Sequence, residues 1–421
     1  MNQVASPSAA INSQVVLPPL HTLTAEALRD TVEKVAAELA ATAIERDRSG
    51  GTALAQRQLL RDSGLLTLAV PLEFGGQGWR WTEIYPVIRR LTEADSSLGH
   101  LFAFQHLQVA SLLLYGSPVQ QREWLTATVD QRWFWGNATN GRDPRLSLRA
   151  VGDAFELDGV KSFCSGAVDA DALVLTAPVP SHVGGPVDDR IFLVLPATRA
   201  GLRVDSDWDA MGQRQTDSVS VHFDKVRVAP EEILGGLPGD SLVARRRTPR
   251  QTLRSTVSQL ILTEIYIGNA LGALAAARDY AVEKARPWPD SDADSVAGDR
   301  YVQKHFGELW VALQGAIALA DRAALALQTA WDKGDALSAA ERGDAALAVF
   351  TAKASATRSA LDISSRIFET VGAGATLSKF GHDRFWRNVR THTLHDPVDY
   401  KFRDLGRWLL TGQPPTPGVY S

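Results

Sequence analysis

"MGQRQTDSVSVHFDKVRVAPEEILGG", Met211–Gly236, is the stretch that decides the fold. Its centre, "DSVSVHFDKVRVA", is Val-rich and partly alternating, the texture of strands with one buried face. It ends a run of such segments that starts near Trp133: "LRAVGDAFELDGVKSFCSGA", "DALVLTAPV", "DRIFLVLPA" and "GLRVDSDW". Gly, Asp and Pro punctuate them, so residues 133–240 read as a β domain.

On either side the period becomes helical. Upstream, "TAEALRDTVEKVAAELAATAIERDR" sets Leu28, Val32, Val35, Leu39 and Ile44 near one face, with Thr24 as its start signal. "PLEFGGQGW", Pro71–Trp79, is a Gly-rich break, and helical periodicity returns from Thr82. Downstream, three long Ala- and Leu-rich segments predict a bundle. A last helix is expected after "HDP", with Asp396 as N-cap and Pro397 at its first position. The expected class is therefore α+β. Residues 1–22 form a disordered N-terminus, 23–132 a helical domain, 133–240 the β domain and 241–421 a helical bundle ending in the extended arm "GQPPTPGVYS".

Composition narrows the function. A net charge of −4 with dispersed basic residues does not suggest a nucleic-acid partner. The single cysteine, Cys164, excludes an internal disulfide and fits a reducing, cytoplasmic setting. No uninterrupted apolar run predicts a membrane span, and the N-terminus lacks the plan of a secretory signal.

"RTHTLHDP", Arg390–Pro397, holds two of the nine histidines. His392 and His395 stand at i, i+3 and so share one face of a helix end. Histidine suits hydrogen-bond work near neutral pH. The bland alternative is a helix terminus. A metal is not expected, since the spacing is not HExxH and no further ligand cluster stands nearby.

The order of helices, strands and bundle, together with "PLEFGGQGW" and Met211–Gly236, resembles the acyl-CoA dehydrogenase superfamily over residues 24–421. The latter stretch looks like that family's strand pair and the exit from its β domain. "ERDRSGGTALAQRQLLRDSGLL", "DSSLGHLF", "WGNA", "FCSGA", "GQRQTDS", "QTAWDKGDALS" and "DRFWRNVRTHTLHDPVDYK" resemble one branch, the dibenzothiophene monooxygenase-like enzymes of sulfur scavenging. The family's usual base motif, "YEGT", is replaced here by "THTLHD".

The resemblance implies a two-component enzyme. FMNH2 from a separate NAD(P)H-dependent flavin reductase would react with O2 as a C4a-hydroperoxide and pass one oxygen to a small organosulfur compound. A homotetramer is implied as well. His392, His395, Ser165 and Asn137 would hold the peroxide, and His100 would shape the pocket. Phe163, Trp208, Gln215, Thr216 and Ser218 fall on the flavin side. Arg286 of "KARPW" and Gly372 and Gly374 of "VGAGA" would meet flavin phosphate, across a subunit interface. Phe104 and Leu253 would line the substrate pocket.

Three departures bear on the substrate. Phe104 replaces a tyrosine of the dibenzothiophene enzyme, Gly374 replaces an arginine, and "ARRRTPRQTLR", Ala244–Arg254, differs from the relatives. Together these changes would suit a smaller or more anionic compound, such as a sulfinate or sulfone, although a basic run is more often a solvated loop. Two rivals remain. One is an FAD-dependent acyl-CoA dehydrogenase with a relocated base. The other is a non-enzymatic flavin-binding protein.

Overall fold

The computed structural model describes residues 22–178, 190–236 and 248–421. The expected disorder of the first residues and the basic side chains of Arg245–Arg247 fall outside the described residues.

The N-terminal helices are α1 (Ala25–Ser49), α2 (Leu54–Asp62), α3 (Trp81–Ala94), α4 (Ser96–Tyr115) and α5 (Pro118–Asp130). Thr24 caps α1, its hydroxyl accepting from the Ala27 N–H at 3.2 Å. α4 is buried along nearly its whole length, with His100, Gln105, His106 and Gln108 among its inward residues.

The strands follow: β1 (Trp135–Ala138), β2 (Leu146–Val151), β3 (Ala154–Cys164), β4 (Ala172–Pro178), β5 (Arg190–Pro196), β6 (Leu202–Val204) and β7 (Val219–Val228). They make two sheets, ordered β1-β4-β5 and β2-β3-β7-β6. β1 runs parallel to β4, and the other pairings are antiparallel. Met211–Gly236 yields one ten-residue strand rather than the expected pair. Its alternation carries through a left-handed residue, Lys225 (φ 47°), so Val221, Phe223, Val226 and Val228 all reach the core. "WGNA" is itself a strand, so Asn137 is not a turn residue.

The bundle comprises α6 (Pro249–Glu283), α7 (Arg300–Asp332), α8 (Ala339–Arg366), α9 (Phe368–Val371), α10 (Asp383–His392) and α11 (Asp399–Thr411). One apolar core runs through both helical regions: Leu39, Ile88 and Leu98 cluster with Ile265, Leu313 and Val349. An ion pair, Arg89 to the buried Glu264 at 2.7 Å, ties α3 to α6.

Two sequence expectations are corrected here. α6 and α7 are each long and apolar enough, by length and composition, to cross a membrane. In α6, 83% of the apolar window is buried inside the protein, because an Ala- and Leu-rich central bundle helix carries few charges. The α7 window is only 33% buried and leaves Trp310, Val311 and Leu325 exposed. The last helix starts at Asp399, with Val398 at its N-cap position. Asp396 is drawn away from capping by two buried lysines, as described below.

Candidate active site

A cavity of about 830 Å³ opens between the β domain, α4 and the end of α10. Its wall includes His100, Phe104, Asn137, Phe163, Ser165, Trp208, Thr216, Ser218, His392 and His395, contributed from five separate parts of the chain. Its size is ordinary for a cofactor-plus-substrate site.

α10 is pinned so that its last residue, His392, faces inward. The Asn388 side chain accepts from the Gln213 N–H at 2.6 Å. Arg387 pairs with Asp47 at 2.6 Å. Gly212 lets the loop lie on the helix, since a Cβ there would stand 2.1 Å from the Arg387 carbonyl oxygen. The Tyr266 hydroxyl donates to the His392 carbonyl at 3.1 Å.

The histidine rings meet inside the cavity. His392 lies 4.7 Å from His100, which stacks on Phe104 at 4.2 Å. None of the four ring nitrogens of His100 and His392 has a hydrogen-bond partner among the described residues. Burial pushes His100 down to about 3. It also holds His392 well below the usual histidine value, assisted by the neighbouring His100, His395 and Lys353. Both rings are therefore neutral at pH 7, each offering one donor and one acceptor.

His395 sits just past the helix. Its Nδ1 is 3.0 Å from Asp396, and its ring meets Tyr420 edge-on at 5.5 Å. Asp396 also accepts from Lys353 at 2.7 Å and lies 3.4 Å from Lys401. Burial alone would raise its carboxyl, but Lys353, His395 and Lys401 outweigh that and hold it below the usual carboxylate range. This site, not a helix cap, is what occupies Asp396. The "GVYS" arm folds back on its own chain, with Val419 and Tyr420 in the cavity wall.

On the β side three hydroxyls form a relay. Ser165 Oγ is 2.8 Å from Ser218 Oγ, which is 2.8 Å from Thr216 Oγ1. Thr216 donates to the Gln213 carbonyl at 2.9 Å. That acceptor fixes the direction. Ser218 must donate to Thr216 and Ser165 to Ser218, so Ser165 shows the cavity only lone pairs. Ser165, expected among the groups that hold the peroxide, thus offers an acceptor there and not a donor.

Phe163 projects into the cavity, 61% exposed, from a left-handed backbone (φ 60°), edge-on to Trp208 at 6.1 Å. Gln213 and Asp217 are also left-handed. Such residues cost roughly 1–3 kcal/mol each and gather at functional sites. The buried Arg57–Asp217 pair supports this turn from behind. Asn137 Oδ1 accepts from Gln108 at 3.0 Å and Thr139 at 2.7 Å, which turns its amide N–H groups to the cavity.

Five expected residues lie elsewhere. The Gln215 side chain is used on the far side, accepting from Arg46 at 2.8 Å and donating to Gly50 at 3.1 Å. Leu253 is fully buried in the helical core, and its neighbour Arg254 takes the cavity position. Arg286, Gly372 and Gly374 are on the surface of this chain, outside the cavity wall. Gly372 caps α9 with φ 71°. Cys164 is buried, its thiol pushed up to about 12, and so is not a nucleophile.

Sequence reading missed Arg254, Lys353, Tyr420 and the relay. Only Arg254 carried a signal, as the end of a basic run. Among the described residues no group of three or more His, Cys, Asp or Glu is placed to hold a metal.

A flavin fits this wall on its own evidence. The cavity offers flat aromatic surfaces at Trp208 and Phe163 beside unpartnered buried nitrogens and a polar rim. Comparison with known proteins agrees. Residues 22–132 match the acyl-CoA dehydrogenase N-terminal domain and 260–400 the C-terminal domain. The chain is 45% identical to the probable FMNH2-dependent monooxygenase SfnC of Pseudomonas putida, over 92% of this chain and 96% of that one. Methanesulfinate monooxygenase MsuC from Pseudomonas fluorescens is 44% identical with a TM-score of 0.89, over 95% of this chain and 100% of that one. The FMN-bound form of TdsC from Paenibacillus sp. A11-2, a dibenzothiophene monooxygenase, is 40% identical with a TM-score of 0.88, over 94% and 100%. The chain thus belongs to the acyl-CoA dehydrogenase superfamily, on its branch of dibenzothiophene monooxygenase-like, flavin-dependent monooxygenases.

Proposed function

We propose that this protein uses reduced FMN and O2 to add one oxygen atom to the sulfur of a small organosulfur compound. The observation that carries this reading is a cavity that, among the described residues, has two neutral, unpartnered histidines and no available carboxylate. Among the described residues Asp143 is the one acidic residue in the wall, and Arg145 binds it at 2.6 Å while the Ser162 N–H donates to it at 3.0 Å. A dehydrogenase needs a carboxylate base at the substrate. No described residue of this wall supplies one, which disfavours the FAD-dependent acyl-CoA dehydrogenase alternative.

Reduced FMN, when bound, supplies the electrons that activate O2. Trp208 and Phe163 would pack its ring, and Thr216 and Ser218 would meet its polar edge. His392, His100 and the Asn137 amide would hold oxygen atoms by neutral hydrogen bonds. Asp396 holds His395 through Nδ1, which leaves Nε2 for the cavity. Tyr420 and Val419 cover that side.

Reduced FMN would come from a separate NAD(P)H-dependent flavin reductase, in the cytoplasm. The exposed apolar face of α7 supports burial against further copies, and a homotetramer would bring Arg286, Gly372 and Gly374 of one copy to the flavin phosphate of another.

The test supplies the protein with FMNH2 and ¹⁸O2 and screens sulfides, sulfones and sulfinates. Product carrying one ¹⁸O is expected for at least one class. If all reducing equivalents leave as hydrogen peroxide with every class, and an acyl-CoA reduces protein-bound FAD instead, the proposal fails.

A further inference from the structure

Arg254 enters the cavity from the first turns of α6. Its Nε donates to Ser111 at 2.7 Å and one Nη to Thr139 at 3.3 Å, while Phe192 lies under the guanidinium at 4.8 Å. Those bonds use two of its five N–H donors. No carboxylate pairs with it among the described residues. Burial pushes it down to about 10, so it stays charged at pH 7. Among the described residues the cavity wall carries Arg142, Arg145 and Arg254 against the single Asp143, which Arg145 already occupies.

A half-buried guanidinium without a described countercharge is costly, and such a group invites an anionic ligand. Its remaining donors form a fork suited to two oxygens of one oxyanion. Ser111 and Thr139 fix the plane of that fork, and Phe192 backs it. The flavin takes much of the space, so the anion must be small.

We propose that Arg254 anchors an anionic sulfur substrate, a small sulfinate R–SO2⁻, and so selects anionic over neutral organosulfur compounds. This rests on the monooxygenase reading above. Two sulfinate oxygens on the fork leave the sulfur lone pair free. That pair forms the new S–O bond as the O–O bond breaks. The balance is R–SO2⁻ + O2 + FMNH2 → R–SO3⁻ + H2O + FMN. Sulfur and flavin each lose two electrons, and O2 takes four.

The same fork could meet the phosphate of FMN, so the experiment separates the two oxyanions. Methanesulfinate, dimethyl sulfone and FMN are titrated calorimetrically into the full-length protein, its Arg254→Met and its Arg254→Lys variants. The sulfur compounds are added to protein already saturated with oxidised FMN. Loss of methanesulfinate affinity by tenfold or more in Arg254→Met is expected, with partial recovery in Arg254→Lys. Affinities for dimethyl sulfone and FMN should stay within about twofold. An unchanged sulfinate affinity, no sulfinate binding by the parent protein, or an equal loss of FMN affinity overturns the proposal. If Arg254→Met does not fold, Thr139→Val and Ser111→Ala, which loosen the fork, must weaken sulfinate binding several-fold or the proposal fails. Arg254-dependent sulfinate binding without oxygenated product would leave the anchor standing and remove the monooxygenase reading. Oxygenation of sulfides with sulfinate binding indifferent to Arg254 would do the reverse.

Discussion

The rings of His100 and His392 lie 4.7 Å apart inside the cavity, and no described residue hydrogen-bonds either one. Two buried rings left without partners cost stability, and that cost has a use if the partners arrive with the ligand. His392→Ala should therefore cut oxygenated product by about 10²–10³-fold, the range for losing one preorganised hydrogen-bond group. The reducing equivalents should appear as hydrogen peroxide. Product formation and peroxide release, measured against reductant consumed, check this. A drop in both together would point to lost flavin binding instead.

The same burial sets an acid limit on the fold. His100 and His106 are both held near 3 in the folded state, against 6.5 for an ordinary histidine. The unfolded chain thus takes up protons that the folded chain refuses, and stability falls as pH drops from 6.5 towards 3. At pH 5 each ring costs on the order of 2 kcal/mol. His106 lies edge-on to Phe102 in α4. Urea unfolding of His106→Leu and of the parent at pH 7.5 and pH 5 provides the measurement. The variant should lose less stability on acidification, and an equal loss in both would refute the account.

The hydroxyl relay makes a prediction that no single residue suggests. Thr216→Val removes the acceptor that orders Ser218 and Ser165. Ser165 is then released to donate into the cavity, where before it showed only lone pairs. A change in the absorption spectrum of bound oxidised FMN is expected, with melting temperature nearly unchanged. Ser218→Ala should produce a similar spectral change, because it cuts the same chain one link nearer. An unaltered spectrum in both variants would show that the relay does not govern Ser165.

What the sequence made legible follows physical range. Periodicity is local, so α1, α4 and the β textures could be read directly. Ser165, Asn137 and His392 came from local motifs, and the cavity does gather them. Asp396 misled because its local surroundings, an Asp-Pro before a helix, are those of a cap, while its real partner Lys353 is 43 positions away. Gln215 misled for the same reason: its amide serves Arg46, 169 positions upstream. Leu253 and Arg254 differ by one position, and along a helix that step turns the side chain from cavity to core. The relay depends on which hydroxyl finds the last carbonyl, and no periodicity encodes that.

The Asp396 cluster yields the most demanding test. Lys353 is 1% exposed and pairs with Asp396 at 2.7 Å, and Lys401 is nearly as buried. Removing that carboxylate strands Lys353 and takes from Lys401 one of its acidic neighbours, leaving it Asp404 and the Tyr420 carbonyl. Asp396→Asn should cost about 3–5 kcal/mol, as breaking a buried pair from one side does. Removing the charge from both sides leaves less uncompensated, so Asp396→Asn with Lys353→Met should recover part of the loss. Because the folded carboxyl lies below its unfolded value, its contribution is present above about pH 4 and is lost as pH falls further. The single variant should accordingly show a shallower acid transition than the parent. His395, which hydrogen-bonds Asp396 through Nδ1, would lose its tautomeric preference, readable in ¹⁵N spectra of the ring. A single variant as stable as the parent would mean that Lys353 is neutral beside Asp396, and the cluster would then be a hydrogen bond and not an ion pair.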